Sequence, residues 1–344
     1  MTYSPDLQIH FALSPWDLTD DYNRNAGVTL LSFLDHCPKD TKVTVHLLYD
    51  EKLCTGKEKE TEYNKQCYQE IADRYNCELI YHHVELPESL KNHPNITKQW
   101  SEGALLRLFL PELLPEVDKI IYLDCDVVVN TDIGKLWEIP LDNYYLAACL
   151  DDARIYHSSK KCRKFYNRVG IPLYKYFNSG VIVLNLYEIR QKNPDFIDII
   201  FNFMYENPVA FPDQDALNWY CRGNYLTLNQ KYCVFSWWEN AMDYEGDCII
   251  HYTIGKPWKS YNGTIDDCYW RYLSLTPWCK NTGDLIHYLH QAPDVFKSLS
   301  MVKNDFFGWA RGTRFQKILF AVDWTISIWL NLLRGIKRIL CDLI

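Results

Sequence analysis

Two carboxylates one residue apart, Asp124 and Asp126, stand between two short apolar runs, Ile120–Leu123 and Val127–Val129. The first run reads as a buried strand. The acids do not fit that reading, because a carboxylate at a buried strand end is costly unless a cation receives it. In extended chain, residues i and i+2 project to one side. Two hard oxygen ligands would then converge on one point, which suits a divalent cation. Taken alone, Asp-x-Asp is more often a strand end with two solvated aspartates. Other residues shift that balance. His251 lies in the apolar run Cys248–Tyr252, and Gly255 and Lys256 follow it within five positions. Glycine allows close backbone approach, and lysine supplies a point charge for phosphate. Two aspartates and an imidazole form a mixed oxygen and nitrogen set, which suits Mn2+ better than Mg2+. Asp213-Gln214-Asp215 follows Pro212 and is either a helix cap or a polar cluster richer than capping needs. Asn178, before Ser179-Gly180, either shapes a turn or joins that cluster. Arg107 sits in an apolar stretch and needs an anionic partner if buried; Asp151 and the phosphate of a ligand are the candidates.

The elements that must position these residues alternate. Leu7–Leu13, Lys42–Tyr49, Cys77–Val84 and the run at Ile120 read as strands. Arg24–His36, Glu58–Tyr75 and Glu102–Leu114 read as the helices between them. Tyr145–Leu150, Val181–Leu186 and Cys248–Tyr252 add strands, and Asp195–Tyr205 and the stretch from Pro212 add helices. Residues 154–176 form a basic and aromatic connector. Strands alternating with helices predict an α/β fold with a mostly parallel sheet covered on both faces. Ligands of such sheets bind beyond the carboxyl ends of the strands, and Asp124 and Asp126 fall at such an end.

Composition sets the bounds. The chain has 344 residues, 48% of them hydrophobic, enough for a large core or two. A net charge of −8 argues against a nucleic-acid partner. Thirteen cysteines with no C-x-x-C pair, and no signal peptide ahead of Leu7, predict reduced thiols in a cytoplasmic protein. Twelve Trp and 25 Tyr suit a protein that packs rings on sugars, but serve equally an aromatic core or a membrane interface.

Four motifs occur in order: Tyr122-Leu123-Asp124-Cys125-Asp126; Phe177-Asn178-Ser179-Gly180 running into Val181–Leu186; Asp213-Gln214-Asp215-Ala216-Leu217-Asn218; and His251-Tyr252 with Lys256-Pro257-Trp258. Together, over about residues 7–280, they resemble glycosyltransferase family 8, which includes bacterial lipopolysaccharide glucosyl- and galactosyltransferases and glycogenin. Trp270 and Ser274-Leu275-Thr276-Pro277-Trp278 look like the C-terminal extension of the lipopolysaccharide branch. The resemblance implies a GT-A fold, a Rossmann-like nucleotide-diphospho-sugar transferase with a small C-terminal helical extension. It implies a UDP-glucose or UDP-galactose donor. It implies Mn2+, with Mg2+ as the substitute, on Asp124, Asp126 and His251. Arg107, Asp151 and Asn178 would hold the donor sugar, with Asp124 and Cys125 at the donor. Asp213, Gln214 and Asp215 would surround the reacting carbon, and Lys256, with Gly255 beside it, would bind the diphosphate. Uridine would lie near Ala12 and Leu13, with Tyr22 as a stacking ring. Two departures stand out. Ser14-Pro15-Trp16-Asp17-Leu18 intervenes before the first acidic cluster, and Gly255 and Lys256 fall four and five residues after the histidine, where the family has three and six.

The expected domains are a catalytic unit over 1–260, an extension over 261–314 and an amphipathic stretch over 315–344. That last stretch has an apolar run, Ile318–Leu333, interrupted by Asp323 and followed by Arg334, Lys337 and Arg338. It is too short and too charged to span a bilayer. It suits a helix lying at the inner face of the cell membrane, or one docked on its own domain or on a second subunit. The expected activity is retaining, Mn2+-dependent hexosyl transfer to a hydroxyl of a cell-surface glycan or glycolipid. The rival readings are a glycogenin-like self-glucosylating protein, a non-catalytic binding module for sugar nucleotides or glycans, and a metal-dependent phosphotransferase. The last lacks a glycine-rich phosphate loop.

Overall fold

Strands β1 (Gln8–Trp16) and β2 (Lys42–Tyr49) are buried on both faces, as a covered parallel sheet demands. They belong to a computed structural model that describes residues 7–96, 101–152, 160–238, 241, 246–259 and 264–291. The other strands are β3 (Glu78–His83), β4 (Lys119–Leu123), β5 (Val127–Asn130), β6 (Leu146–Leu150), β7 (Phe177–Asn185), β8 (Leu226–Thr227), β9 (Val234–Phe235) and β10 (Cys248–His251).

Seven strands form the central sheet in the order β3-β2-β1-β4-β7-β6-β8. β7 alone runs against its neighbours, β4 and β6. That reversal positions the site. Because β7 is antiparallel, its first residues lie beside the last residues of β4 and β6. Leu123 pairs with Val181, and Leu150 pairs with Phe177. The residues that follow β4 and β6 therefore meet the start of β7 at one end of the sheet, beyond the carboxyl ends of β4 and β6.

A second, three-stranded sheet has the order β5-β10-β9. The last strand, expected at Cys248–Tyr252, is β10, which pairs antiparallel with β5 and parallel with β9. The helix Asn23–Asp35 joins the two layers. Its Phe33 ring stacks 3.8 Å from Phe11 of β1. Its Thr29 hydroxyl donates to the Val127 carbonyl at 2.7 Å, and its Ser32 hydroxyl accepts the Val129 N–H at 3.0 Å. These bonds satisfy β5 groups that the small sheet leaves over.

The helix Glu58–Tyr75 ends at Asn76, which takes the left-handed conformation that closes helices (φ 50°). The apolar core between the sheet and the helices Phe196–Glu206 and Pro212–Cys221 includes Tyr122, Ile182, Leu184, Ile200, Phe203 and Leu217. The expected helix Glu102–Leu114 is a 3-10 helix, Glu102–Phe109, followed by one α turn, Leu110–Leu113. Pro111 supplies the reason: it has no N–H to donate back to Arg107, so α-helical bonding cannot run through it. β7 starts at Phe177, four residues before the expected start at Val181.

The chain divides into two compact units, Met1–Thr253 and Ile254–Ile344, against an expected boundary at 260. The described part of the second carries the helices Asp267–Leu275 and Thr282–Gln291. The stretch 315–344 lies outside the described residues, as does 153–159 of the connector; Lys160–Val169 of that connector is helical. Among the described residues no helix is long and apolar enough to cross a membrane, and eleven cysteines are free thiols.

Candidate active site

Asp124 follows β4, Asp126 precedes β5, and His251 ends β10. Residues 125 and 126 form a turn, so the two acids converge by reversal of the chain and not by strand alternation. Nε2 of His251 lies 3.2 Å from Asp126 Oδ1 and 3.7 Å from Asp124 Oδ2. Ligands about 2.1 Å from an octahedral ion stand about 3 Å apart, so the three residues fit one divalent cation with little adjustment. Among the described residues they are the single group of three metal-capable side chains whose ligand atoms lie within 4.8 Å of one another.

Arg107 is buried and organises the anionic side. It donates to Asp124 Oδ1 at 2.6 Å, to the Ser179 carbonyl at 2.6 Å and to the Ala104 carbonyl at 2.9 Å. Its Nε lies 3.3 Å from Asp213 Oδ2, and its guanidinium stacks 4.3 Å over the Tyr122 ring. Burial pulls its pKa down, but the Asp124 and Asp213 carboxylates outweigh that and hold it above the ordinary range. The anionic partners are thus Asp124 and Asp213. Asp151, expected in that role, pairs with Gln214. Holding Asp124 by Oδ1 leaves Oδ2 toward His251.

Asp213 and Gln214 open the helix Pro212–Cys221 and face the start of β7. Gln214 Nε2 donates to Asp151 Oδ2 at 2.7 Å. Its Oε1 accepts the Ser179 N–H at 3.0 Å and Asn178 Nδ2 at 3.2 Å. The Ser179 hydroxyl donates to Asp213 Oδ2 at 2.8 Å, and Asn178 Oδ1 accepts the Gly180 N–H at 2.9 Å. Burial raises the pKa of Asp213, and Arg107 and Ser179 oppose that rise. Asn218, one helical turn on, accepts the Phe177 N–H and donates to the Phe177 carbonyl, both at 2.9 Å, which docks the helix on β7.

Asp215 does not join this group. Its Oδ1 accepts the hydroxyls of Tyr176 at 2.5 Å and Tyr166 at 3.0 Å. Its Oδ2 accepts the backbone N–H groups of Ala210 and Phe211 at 2.9 and 3.1 Å. Burial pushes its pKa up to about 6, and these four donors hold it from going further. It is a brace for the helix start, with nothing left for a substrate. Ala12 and Leu13 are likewise inside the core, fully buried in β1, which runs on to Trp16. Cys125 is buried in the acidic turn. Burial pushes the Tyr22 hydroxyl up, with Asp126, Cys125 and Asp124 adding to it, so its phenol sits beside that turn. Gly255 and Lys256 belong to the second unit, where the Lys256 ammonium lies 5.7 Å over the Trp258 ring.

The site also uses Ser179, Tyr122 and Gly180, which the sequence motifs contain without a role of their own, and Cys233, which sequence reasoning passed over. Gly180 had a readable signal, since it sits in a motif between Asn178 and a strong strand. A Cβ there would stand 2.2 Å from His251 Cε1 and 2.6 Å from Asp124 Oδ2. Gly180→Ala should therefore displace a candidate ligand while the fold survives, at a cost of about 1–3 kcal/mol for overpacking. Denaturant melts with and without Mn2+ check this: the variant should lose the Mn2+-induced stabilisation, and a response equal to wild type would refute the assignment.

Residues 16–262 match the sequence profile of Glycosyl transferase family 8. A Haemophilus influenzae protein described as a glycosyltransferase is 28% identical over 206 residues, which are 60% of this chain and 58% of that one. The chain thus spans a little over half of that relative's length. The lipopolysaccharide 1,2-glucosyltransferase of Escherichia coli is 26% identical over 281 residues, 76% of this chain and 78% of its own. Among solved structures, the galactosyltransferase LgtC with donor and acceptor sugar analogues has a TM-score of 0.61 at 21% identity. The match covers 79% of this chain and 96% of that one, a likeness of fold, which is GT-A.

Proposed function

The chain belongs to glycosyltransferase family 8, and from that premise we propose that it moves glucose or galactose from a UDP donor to a hydroxyl of a cell-surface glycan, with retention, using Mn2+ on Asp124, Asp126 and His251. The carrying observation is the meeting of those three side chains at the end of the sheet where Asp151, Gln214 and Asn178 are hydrogen-bonded together. The Escherichia coli relative's named activity supports glucose and a lipopolysaccharide-type acceptor.

When bound, the cation supplies charge neutralisation for the departing diphosphate. The chain's own residues do the rest. Arg107 holds Asp124 and Asp213 at fixed spacing, so neither must reorganise during reaction. Asp213, Gln214 and Asp151 form one hydrogen-bonded cluster of polar and negative groups, the kind an oxocarbenium-like sugar requires. Asn178 orients Gln214. Tyr22 is assigned to the uracil. Asp215 is given no chemical role, because its oxygens are spent on Tyr166, Tyr176 and the backbone.

A donor screen tests this reading. Nucleoside diphosphate release from UDP-glucose, UDP-galactose and their N-acetylated and GDP-linked counterparts is measured with Mn2+, with Mg2+ and with chelator. UDP-glucose or UDP-galactose with Mn2+ should be fastest, and the product's anomeric proton should report an α-linkage by NMR. Undiminished turnover in excess chelator removes the metal from the reading, and a β-linkage removes retention.

Residues 315–344 are assigned to holding the enzyme at the cytoplasmic face of an anionic membrane. Trp324 and Trp329 suit the interface, and Arg334, Lys337 and Arg338 suit anionic head groups. Changing the three basic residues to Gln in the full chain should remove roughly 3 kcal/mol of binding, about 100-fold in liposome partitioning. Donor hydrolysis should be unchanged. A wild-type protein that stays in the supernatant with anionic liposomes at low salt would refute the assignment.

A further inference from the structure

Cys233 lies under the site and touches both halves of it. It precedes β9, and β9 runs parallel to β10, with Phe235 paired to His251. The Gln230 side chain fixes it there, donating to the Cys233 carbonyl at 2.8 Å and to the Leu150 carbonyl at 3.3 Å, next to Asp151. The Cys233 side chain is fully buried. Its Sγ lies 3.7 Å from Nδ1 of His251 and 3.7 Å from Oδ1 of Asn178.

A histidine that offers Nε2 to a cation must carry its proton on Nδ1, and the partner of that N–H sets the tautomer. Here the partner is a thiol. A thiol both donates and accepts. It can accept the Nδ1–H of His251 while donating its own proton to Asn178 Oδ1. Because Asn178 Oδ1 can only accept, the thiol proton directed at it leaves Sγ as the acceptor of Nδ1–H, and that tautomer leaves Nε2 bare for a cation. A carbonyl or carboxylate at this place could accept the Nδ1–H but would have no proton to offer Asn178. From Asn178 the contacts continue to Gln214 and Asp151. We infer that Cys233 is a positioning residue that sets the tautomer of His251 for cation binding and links the cation site, through Asn178, to the residues around the donor sugar. The inference rests on the metal reading given above and goes beyond it in naming the thiol.

The test is Mn2+ affinity of the full chain, read without donor from the EPR signal of free Mn2+. Cys233→Val fills the thiol's volume and removes both hydrogen bonds; Cys233→Ser keeps a donor and an acceptor. Loss of such a supporting contact weakens metal binding roughly 10- to 100-fold, which is expected for Val, while Ser should stay within about threefold. Melting in the absence of metal identifies a merely structural role: a lower midpoint in Cys233→Val with wild-type Mn2+ affinity overturns the inference and leaves the metal reading intact. Equal weakening in Ser and Val also overturns it, because the hydrogen-bonding capacity would then be irrelevant. Absence of Mn2+ binding by the wild type overturns the metal reading and the inference together. If Cys233→Val does not fold, Cys233→Ala removes the same two bonds without added branching and is scored the same way.

Discussion

Asp126→Asn should give a folded protein whose donor turnover falls by two to four orders of magnitude. The change removes one carboxylate from the group of Asp124, Asp126 and His251 and leaves an amide of the same shape. A bound cation contributes several kcal/mol of charge stabilisation, and each 1.36 kcal/mol is about tenfold in rate, which sets the size of the loss. The same change takes away a charge that repels Asp124 in the metal-free site. The metal-free variant should therefore melt no lower than wild type, while its melting point stops responding to Mn2+. Activity and metal-free stability moving apart is the signature of a functional site held together at some cost to the fold. A variant with wild-type turnover would remove Asp126 from the ligands. A variant that simply unfolds would make the acidic turn a structural element.

Arg107→Met should be the most destabilising single change at the site. The guanidinium is buried against two carboxylates, and removing it strands Asp124 Oδ1 and Asp213 Oδ2 without their cation. Breaking a buried pair in this way costs about 3–5 kcal/mol. Arg107→Lys should recover only part of it. One ammonium cannot meet Asp124, Asp213 and two carbonyls in the planar arrangement that the guanidinium fills. The pH dependence has a definite sign. Asp213 already has a raised pKa, and without Arg107 it rises further. A carboxyl with a raised folded pKa contributes stability below its unfolded pKa, about 4, and loses it as pH rises through the folded value. The deficit of Arg107→Met relative to wild type should therefore be small near pH 4 and grow toward neutrality. Urea melts across that window check it, and a deficit independent of pH would mean that lost packing over Tyr122, not stranded charge, is the cause.

The alternation of strands and helices was legible because each long element carries its period in its own residues. Asp124, Asp126 and His251 were legible because polar ligand types stand at the ends of apolar runs. The reason assigned to the acids was not right: a turn at 125–126, not strand alternation, brings them together. Asp215 illustrates what adjacency in sequence hides. A helix turns about 100° per residue, so Asp213 and Asp215 point roughly 200° apart. One faces Ser179 and Arg107, the other Tyr166 and Tyr176. β8 and β9 have two residues each, too few to show any period. Cys233 was invisible for a related reason. Nothing in its neighbourhood marks it, and its place beside His251 exists only because β9 pairs with β10. Arg107 was flagged by its need for an anion, but which anions answered it depended on β7 running backwards.

The split of the site between two sheets also has a consequence in time. Asp124 and Asp126 leave the ribosome about 125 residues before His251. At roughly 5–20 residues per second, that is about 6–25 s during which the acidic turn exists without its imidazole. For most of that interval, until residue 234 is made, the small sheet has only its first strand. Arg107 is already present and can occupy Asp124 Oδ1. A nascent chain therefore passes through a stage in which the acidic turn is charge-compensated from within and has no nitrogen ligand, so it captures cations poorly. On the proposed metal reading, loading is then a late event of biosynthesis, coupled to completion of the small sheet.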